Sequence, residues 1–376
     1  MTTVPAVPEM PEIPEIPEIP EMPAGPWVLV VGAHRSGTSA TTGALVSMGV
    51  QGVDPGDRMV WSNSNPEHWE SLAAAVFDDD LLGDLGGTWD APPELGRMPD
   101  PAAAGRSPAE IMATAYPAPG PVVWKDPRAC LLLPYWRQIL PGPLTAVFVW
   151  RDPLAVARSL HSRDGMSMEY GLALWERYNR SALAGLQGID TYVLDYDAVV
   201  ADPTAAFSAV AVWLTDLGRF DQSGRRWDVD AAAATIEQDL RHQSGQTDEI
   251  NPYPADATVL SQWLGTVAGG HRPFNVEPPA PVSGWPEALI AQRRDQLATS
   301  PEFARMWALA QGAEAMEQGL RTGYEAEIDR LVQQFQELKQ RADRLAWEVH
   351  RVESSVSWKV TRPLRSAAER VNRLRG

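Results

Sequence analysis

The chain has 376 residues, of which 44% are hydrophobic, and a formal net charge of −17, so one large core can form and a nucleic-acid partner is disfavoured. A single cysteine, Cys130, excludes a disulfide framework and a cysteine metal site, and suits a reducing cytoplasm. We expect neither a signal peptide nor a membrane span, because no run approaches the ~18 apolar residues that a span needs.

Residues 1–26 have proline at every third position from Pro5 to Pro26, with acidic residues between most of them. Three residues per turn is the period of polyproline II. The pattern predicts a stiff acidic tail without a packed core, more typical of a spacer than of a partner motif.

Residues 27–39 read Trp-Val-Leu-Val-Val-Gly-Ala-His-Arg-Ser-Gly-Thr-Ser. They predict a buried strand, a turn with Gly32 and Gly37, and an amphipathic helix, an order that builds a cradle of N–H groups for an oxyanion. The spacing is that of a nucleotide-binding P-loop, but Thr38 stands in the position of the lysine and Arg35 comes earlier. Because that lysine normally reaches the β- and γ-phosphates, we expect a different anionic ligand.

Two longer regions follow the loop and differ in pattern. Residues 50–120 are rich in Pro, Gly and Asp with little periodicity, which predicts long loops and short helices over the site. Residues 121 to about 215 alternate strands with helices, including a helix from Tyr170 to Leu186. This alternation predicts an α/β fold whose parallel sheet is covered by helices on both faces.

Two strands in the second region end in charged turns. Residues 121–128 read Pro-Val-Val-Trp-Lys-Asp-Pro-Arg, a short apolar strand followed by a charged turn. Residues 145–160 hold a longer strand, a turn at Asp152-Pro153 and the start of a helix. Arg151, where that strand ends, and Ser159 stand eight residues apart.

A heptad pattern occupies residues 320–356. Its apolar residues alternate steps of three and four: Ile328, Leu331, Phe335, Leu338, Ala342, Leu345, Val349, Val352 and Val356. With Gln, Glu, Arg and Lys between them, these residues predict a coiled coil, and we expect homo-oligomers to form through residues 324–356. The alternative is one long helix folded back on its own domain.

Residues 357–376 form a basic tail with six Lys or Arg residues and one Glu. They predict an amphipathic helix with Val360, Leu364, Val371 and Leu374 on one face, which suits peripheral contact with an anionic membrane surface. The stretch Ser-Trp-Lys-Val-Thr-Arg-Pro-Leu-Arg at its start resembles tails that follow coiled coils in bacterial enzymes of surface-polysaccharide synthesis.

The P-loop-like segment, the Lys-Asp-Pro-Arg turn and the Arg-Asp-Pro…Ser stretch together closely resemble the sulfotransferases that use 3′-phosphoadenosine 5′-phosphosulfate (PAPS), in particular bacterial, carbohydrate-type members. The Tyr196-Asp197 pair, after a predicted strand at Thr191–Leu194, matches the next element of that family. The resemblance covers roughly residues 27–310, strongly as far as about 205. It implies a P-loop-type α/β domain over residues 27–315.

The resemblance also implies PAPS as co-substrate, without a metal. In this family the strand–loop–helix binds the 5′-phosphosulfate, and an Arg…Ser pair at this spacing binds the 3′-phosphate. The loop amides and the helix dipole suit the 5′-phosphate, and Arg35 suits the bridging oxygen, where charge develops. The implied cofactor-binding residues are His34, Arg35, Ser36, Gly37, Thr38, Ser39, Arg151, Ser159 and Tyr196.

Transfer to an alcohol needs a base that accepts the proton of the acceptor. The segment 62–71 holds three candidates, and Glu70 is favoured because related sulfotransferases often carry a glutamate here. Burial beside an apolar stretch would also make its carboxylate a better base. His68 is the second candidate and Glu67 the third.

Glu70 has a structural alternative. If Ser71 or Asn65 caps a helix, Glu70 is a capping neighbour without a chemical role. Lys125, at the end of its strand, is the candidate for contact with the transferring sulfonate or the acceptor. We therefore predict Glu70, His68, Lys125 and Arg35 as the catalytic residues.

We expect a cytoplasmic sulfotransferase, with peripheral contact at the inner face of the membrane, that modifies a hydroxyl of a glycan or glycolipid. Trp61, Trp69 and Trp89 lie where an acceptor sugar could stack. One alternative is a P-loop NTPase or small-molecule kinase with Asp126 as a Mg²⁺ ligand. The other is a non-catalytic scaffold that uses its coiled coil.

Overall fold

The computed structural model describes residue 22 and residues 24–59, 69–99, 107–118, 120–220, 227–239 and 255–299. The chain divides into two compact units, Met1–Leu297 and Ala298–Gly376, and nearly all described residues belong to the first. Most of the proline-rich tail, the coiled coil and the basic tail lie outside the described residues, as do Trp61, Asn65, Glu67 and His68, and stay predictions.

The described residues form one sheet of five strands in the order β2-β1-β3-β4-β5. The strands are β1 Trp27–Val31, β2 Val122–Lys125, β3 Leu144–Trp150, β4 Asp190–Asp195 and β5 Gly269–His271. The first four are parallel and β5 runs antiparallel to β4. Because the carboxyl ends of β1, β2 and β3 meet at one edge, the loops that follow them lie side by side.

Eleven helices surround the sheet in the described part of the chain. They are α1 Thr38–Ser47, α2 Leu72–Asp84, α3 Pro108–Ala115, α4 Ala129–Ile139, α5 Pro153–Asp164, α6 Met168–Leu186, α7 Tyr196–Ala201, α8 Pro203–Asp216, α9 Val229–Asp239, α10 Ala255–Thr266 and α11 Trp285–Thr299. None of these described helices is long and apolar enough to cross a bilayer.

Two hydrophobic cores lie on opposite faces of the sheet. Leu29 packs into one core, with helices α2 to α6, α10 and α11, while Val30 packs into the other, with α1, α7, α8 and α9. A parallel sheet with both faces covered needs strands that are apolar throughout, which explains the unbroken apolar runs of β1 and β3. The predicted α/β fold, with its P-loop-type sheet, is confirmed.

Two details of the sequence prediction were wrong. The helix after the loop is not amphipathic: most of α1 is buried, because α9 covers the side that would otherwise face solvent. The region 50–120 is also more regular than predicted, since α2 runs for 13 residues. The three consecutive aspartates at 78–80 are more typical of a loop than of a helix, but Ser71 is an N-cap that could have indicated the helix.

Candidate active site

The loop between β1 and α1 has a backbone that needs its glycines. A Cβ on Gly32 would lie 2.2 Å from the carbonyl oxygen of Val149, so β1 can approach β3 only without a side chain there. Gly37 has φ 91° and faces the ring of Tyr196, which a Cβ would approach to 2.2 Å. Arg35 also has a positive φ, 69°, without being glycine. Such strain at a non-glycine residue persists where the surrounding structure enforces it, often at functional sites.

Cys130 supports the start of this loop. Its Sγ accepts a hydrogen bond from the N–H of Gly32 at 3.2 Å. Burial raises the pKa of the thiol to about 12, so the sulfur is an inert packing group and not a nucleophile.

The first turn of α1 fits an oxyanion. Its N-cap is Gly37, and no described side chain caps the turn, so the N–H groups of the turn keep their capacity to bind a ligand. The hydroxyl of Ser36, fully buried in the same loop, has no hydrogen-bond partner among the described residues. A buried hydroxyl without a partner is costly, and a phosphate or sulfonate oxygen in the loop would satisfy it.

One hydrogen bond joins the two segments that the sequence analysis assigned to PAPS. The Nε–H of Arg35 donates to the Oγ of Ser159 at 2.8 Å, across 124 residues. Ser159 lies on α5, which begins after Asp152, whose carboxylate accepts the N–H of Ala155 at 2.9 Å. The Asp-Pro turn thus sets the direction of the helix that carries Ser159.

Arg151 completes the same cleft. Its guanidinium lies 5.3 Å from the centre of the Tyr196 ring and 3.8 Å from the carboxylate of Asp197. Since Tyr196 also faces Gly37, the 34–39 loop, Arg151 and Ser159 are linked by direct contacts. The predicted cofactor-binding residues therefore lie together at the carboxyl ends of β1, β3 and β4, in the region that we call the cleft.

Positive charges concentrate in this cleft although the chain carries a formal charge of −17. Burial, followed by the charges of Arg163 and Arg151, lowers the pKa of Arg35. Like charges that lower one another's pKa repel, and a bound anion would relieve the repulsion. Arg163 was missed in the sequence, although it stands four residues after Ser159 and therefore on the same side of α5.

His34 forms an aromatic wall beside the loop. Its ring lies 4.8 Å from that of Trp89 and 5.2 Å from that of Tyr178. Burial, and then the charges of Arg128 and Arg163, hold the pKa of His34 well below its usual range, so the imidazole is neutral. The neutral ring adds no further positive charge to the cleft.

Lys125 reaches the cleft from the neighbouring strand. Its Nζ donates to the Oγ of Ser39 at 3.0 Å and forms an ion pair with Glu70. Both side chains are buried, with 2% and 8% exposed. An ammonium group from β2 therefore contacts the first turn of α1, the part of a P-loop that meets phosphate.

Glu70 directly precedes the N-cap of α2. The cap itself is Ser71, whose hydroxyl accepts the N–H of Ala74 at 2.9 Å. The structural alternative expected a cap at Ser71 or Asn65, and Ser71 is that cap; the ion pair of Glu70 with Lys125 is a contact that the cap does not explain. The carboxylate of Glu70 is directed to Lys125.

Arg128 holds a network of carboxylates behind Glu70. It donates to Asp79 at 2.6 and 2.9 Å and to Asp126 at 3.2 Å, and it lies 3.8 Å from Glu70. Burial raises the pKa of Asp126 to about 6, while burial and the charge of Asp126 raise that of Asp78 well above its usual range. The sequence analysis quoted the Lys-Asp-Pro-Arg turn but gave Arg128 no role.

The tryptophans predicted to stack on a sugar lie in different surroundings. Trp69 packs over Gly43 of α1, and the guanidinium of Arg58 lies 5.0 Å from its ring. Trp89 lies between His34 and the guanidinium of Arg163, 5.4 Å away. Trp89 is therefore the one of these two that borders the cleft.

No protein-family model and no curated protein sequence matches the chain. Among solved structures, a sulfotransferase domain from the curacin biosynthetic pathway is 15% identical, with a TM-score of 0.37 over 65% of this chain and 98% of that one. Sulfotransferase STF9 from Mycobacterium avium is 13% identical, with a TM-score of 0.41 over 66% of this chain and 79% of that one. A sulfotransferase domain from the Synechococcus PCC 7002 olefin synthase is 15% identical, with a TM-score of 0.33 over 73% of this chain and 97% of that one. Structural similarity at these identities and TM-scores does not assign a function, so a proposed function has to be argued from the geometry of the site.

Proposed function

We propose that the chain is a sulfotransferase that moves the sulfonate of PAPS to a hydroxyl of a glycan or glycolipid. The observation that carries the proposal is the 2.8 Å hydrogen bond between Arg35 and Ser159. It joins a P-loop without its lysine to the Arg…Ser segment, so one cleft has groups for two separate anionic ends of a ligand. A nucleoside triphosphate has a single phosphate chain, whereas PAPS has a 5′-phosphosulfate and a 3′-phosphate.

The residues of the cleft fit this co-substrate. The uncapped first turn of α1 and the buried hydroxyl of Ser36 suit the 5′-phosphate. Arg151 and Ser159 suit the 3′-phosphate, because a guanidinium forms strong paired hydrogen bonds with phosphate oxygens. Burial, and then the charges of Arg163 and Arg151, lower the pKa of Arg35, and an anion bound beside its guanidinium would offset both.

PAPS supplies, when bound, a sulfonate group activated by its bond to a phosphate. In this proposal Glu70 accepts the proton of the acceptor hydroxyl at its carboxylate. Lys125 orients Glu70 by their ion pair and, with Arg35, stabilises the negative charge that develops as the sulfonate leaves the phosphate. Arg128 restrains the carboxylate of Glu70 from the opposite side.

His68 is the second candidate for the base and Glu67 the third. Both residues lie outside the described residues. Glu70 contacts Lys125, which itself contacts Ser39 of the loop. That contact favours Glu70.

The other two functions fit less well. A kinase with Asp126 as Mg²⁺ ligand would need a carboxylate open to the metal, yet both Asp126 oxygens lie within hydrogen-bonding distance of Arg128. A scaffold without activity would have no use for a strained Arg35 and a cluster of repelling cations. Both observations support the transferase.

A calorimetric titration separates the three functions. A sulfotransferase should bind adenosine 3′,5′-bisphosphate without added metal, an NTPase should bind Mg·ATP instead, and a scaffold should bind neither. Arg35→Ala should lose the bisphosphate, whereas Arg219→Ala should retain it. Arg219 is the matched control because it pairs with Asp190 at the opposite edge of the sheet, where β4 begins. Preferential binding of Mg·ATP would overturn the proposal.

A further inference from the structure

A second cavity, of about 300 Å³, lies beside the cleft between the α5–α6 turn and α11. This volume is at the lower end of the range for small-molecule sites. Most of its lining side chains are polar: Asp164, Ser167, Tyr170, Gln292, Arg293 and Gln296. The proposed transfer of sulfonate assigns no role to them.

The turn that carries Trp89 connects this cavity to the P-loop-like segment. The Trp89 ring contacts His34 on the loop side and Arg163 on the cavity side. The next residue, Asp90, accepts hydrogen bonds from Tyr170 at 2.5 Å and from Arg293 at 3.4 Å. Two lining residues of the cavity are thus held by the turn whose tryptophan touches the loop.

The electrostatics also link the two sites. Asp164, in the cavity lining, raises the pKa of Arg35, while its neighbour Arg163 lowers it. Both residues therefore lie close enough to act on the guanidinium that we assign to the sulfonate. A ligand in the cavity would sit against the α5 end that borders Arg35.

The lining chemistry indicates the class of ligand. Arg163 pairs with the carboxylate of Asp164 at 2.8 Å, and Asp90 lies beside Arg293, so the charges in the wall are compensated locally. A compensated wall has little preference for an anion or a cation. Amide, hydroxyl and carboxylate groups around one space offer both donors and acceptors, which suits a ligand with several hydroxyl groups.

Resting on the proposed function, we infer that this cavity is the acceptor subsite and that it binds a neutral sugar ring. Gln292 and Asp164 contribute hydrogen-bonding groups to the sugar, and the Trp89 ring, which contacts Arg163 and His34, lies between Arg163 and the loop. The volume of about 300 Å³ admits a ring of that size, and the polar lining suits its hydroxyl groups better than an acyl chain.

Saturation-transfer NMR without nucleotide tests the site with three probes: methyl α-glucoside, methyl α-mannoside and methyl β-galactoside. At least one probe should receive saturation from the parent protein, and Gln292→Trp, which fills the cavity, should abolish the signal. Asp164→Asn should weaken it without adding bulk. Gln138→Trp, the same change on exposed Gln138 of α4, should leave the signal intact.

Binding of adenosine 3′,5′-bisphosphate is measured on every variant to verify the fold and to keep the two proposals apart. If a sugar binds and Gln292→Trp abolishes its binding, but no variant binds the nucleotide, the proposed function fails. If the nucleotide binds but none of the three sugars does, or if Gln292→Trp still binds the sugar, the subsite is overturned. A bound sugar that receives no sulfonate from PAPS would overturn its role as acceptor.

Discussion

The cleft has two halves, one around Arg35 in the loop and one around Lys125 at the end of β2, and their charged groups have different partners. In the loop half, Arg35 bonds a neutral hydroxyl and is surrounded by other cations that lower its pKa. In the half around β2, Lys125 pairs with Glu70, and Arg128 is held by Asp79 and Asp126. In the first half Arg151 and Arg163 lie beside Asp197 and Asp164, but Arg35 bonds a hydroxyl; in the second half both cations pair with carboxylates.

Under the proposed function, this difference separates nucleotide binding from chemistry. A guanidinium that bonds a neutral hydroxyl, as that of Arg35 does, keeps its charge for an anionic ligand, whereas a buried carboxylate beside two cations is fixed in position. Substitutions in the loop half should therefore affect nucleotide affinity, and substitutions around Glu70 should affect turnover. Four variants test this division.

The largest effect is expected for Glu70→Gln, which keeps the shape of the side chain but removes the base. Turnover should fall by about 10²–10⁴-fold, the usual contribution of general-base catalysis. Affinity for adenosine 3′,5′-bisphosphate should stay near that of the parent protein. Steady-state sulfonate transfer and calorimetry measure the two quantities.

His68→Ala is the companion variant. If His68→Ala is inactive while Glu70→Gln retains turnover, the base is His68 and the division assigns the wrong residue to the chemistry.

Arg151→Ala should weaken binding of adenosine 3′,5′-bisphosphate much more than binding of AMP, because only the former has a 3′-phosphate. Loss of a hydrogen bond to a charged group costs roughly 1.5–3 kcal/mol, which corresponds to about ten- to a hundredfold in affinity. Equal losses for the two nucleotides, measured by calorimetry, would contradict the assignment of Arg151 to the 3′-phosphate.

Gly37→Ala tests the backbone of the loop half. A left-handed conformation costs an L-residue about 1–2 kcal/mol, and the new Cβ would also meet the ring of Tyr196. Gly218→Ala is the control, because Gly218 has φ 65° with no described atom within 4 Å of a Cβ. Chemical denaturation should show a larger loss for Gly37→Ala, and only that variant should also bind nucleotide less tightly. Equal losses would refute the contact with Tyr196.

Asp78→Asn, behind the paired half, tests stability and not binding or turnover. The pKa of buried Asp78 is raised in the folded state, so the folded protein holds its proton more tightly than the unfolded chain. The free energy of unfolding therefore falls as the pH rises above ~4, by up to ~1.4 kcal/mol for each pH unit between the unfolded and folded pKa values. Asparagine has no proton to lose, so the variant should become progressively more stable than the parent.

Thermal unfolding from acidic to neutral pH measures the difference in stability between Asp78→Asn and the parent protein, which we call the gap. Asp126, whose pKa is about 6, titrates in both proteins and contributes a second change. Asp84→Asn, on an exposed residue of the same helix, is the control for the substitution itself. A constant gap for Asp78→Asn would mean that Asp78 is not protonated in the folded protein.

Much of the fold was predictable because its signals are local. The apolar runs of β1 and β3, the glycines of the loop and the Asp152-Pro153 turn specify their own conformations within a few residues. The helix α2 was harder to predict, because its aspartates resemble a loop until Asp78 is seen to be buried against Trp136. The nearly complete burial of α1 also depends on α9, which is far away in the sequence.

The cofactor residues were predicted from motifs, whereas their contacts could not be predicted. Tyr196 was assigned to the nucleotide site by resemblance, but its contact with Gly37 explains why that position needs a glycine. Arg128 and Arg163 were missed because an arginine after a strand or near the end of a helix usually faces solvent. Their roles depend on neighbours that are distant in the sequence.

The sequence by itself determined which segments are strands, which loop is shaped for an oxyanion and which residue types are available for chemistry, because each of these depends on neighbouring residues. Only the tertiary structure decided which charges meet. The strand order β2-β1-β3 brings Lys125 to Ser39 and Arg35 to Ser159, pairs that are 86 and 124 residues apart. Whether a cation is compensated or left for a ligand depends on such contacts, since the energy of a charge is set by the groups within a few ångströms of it.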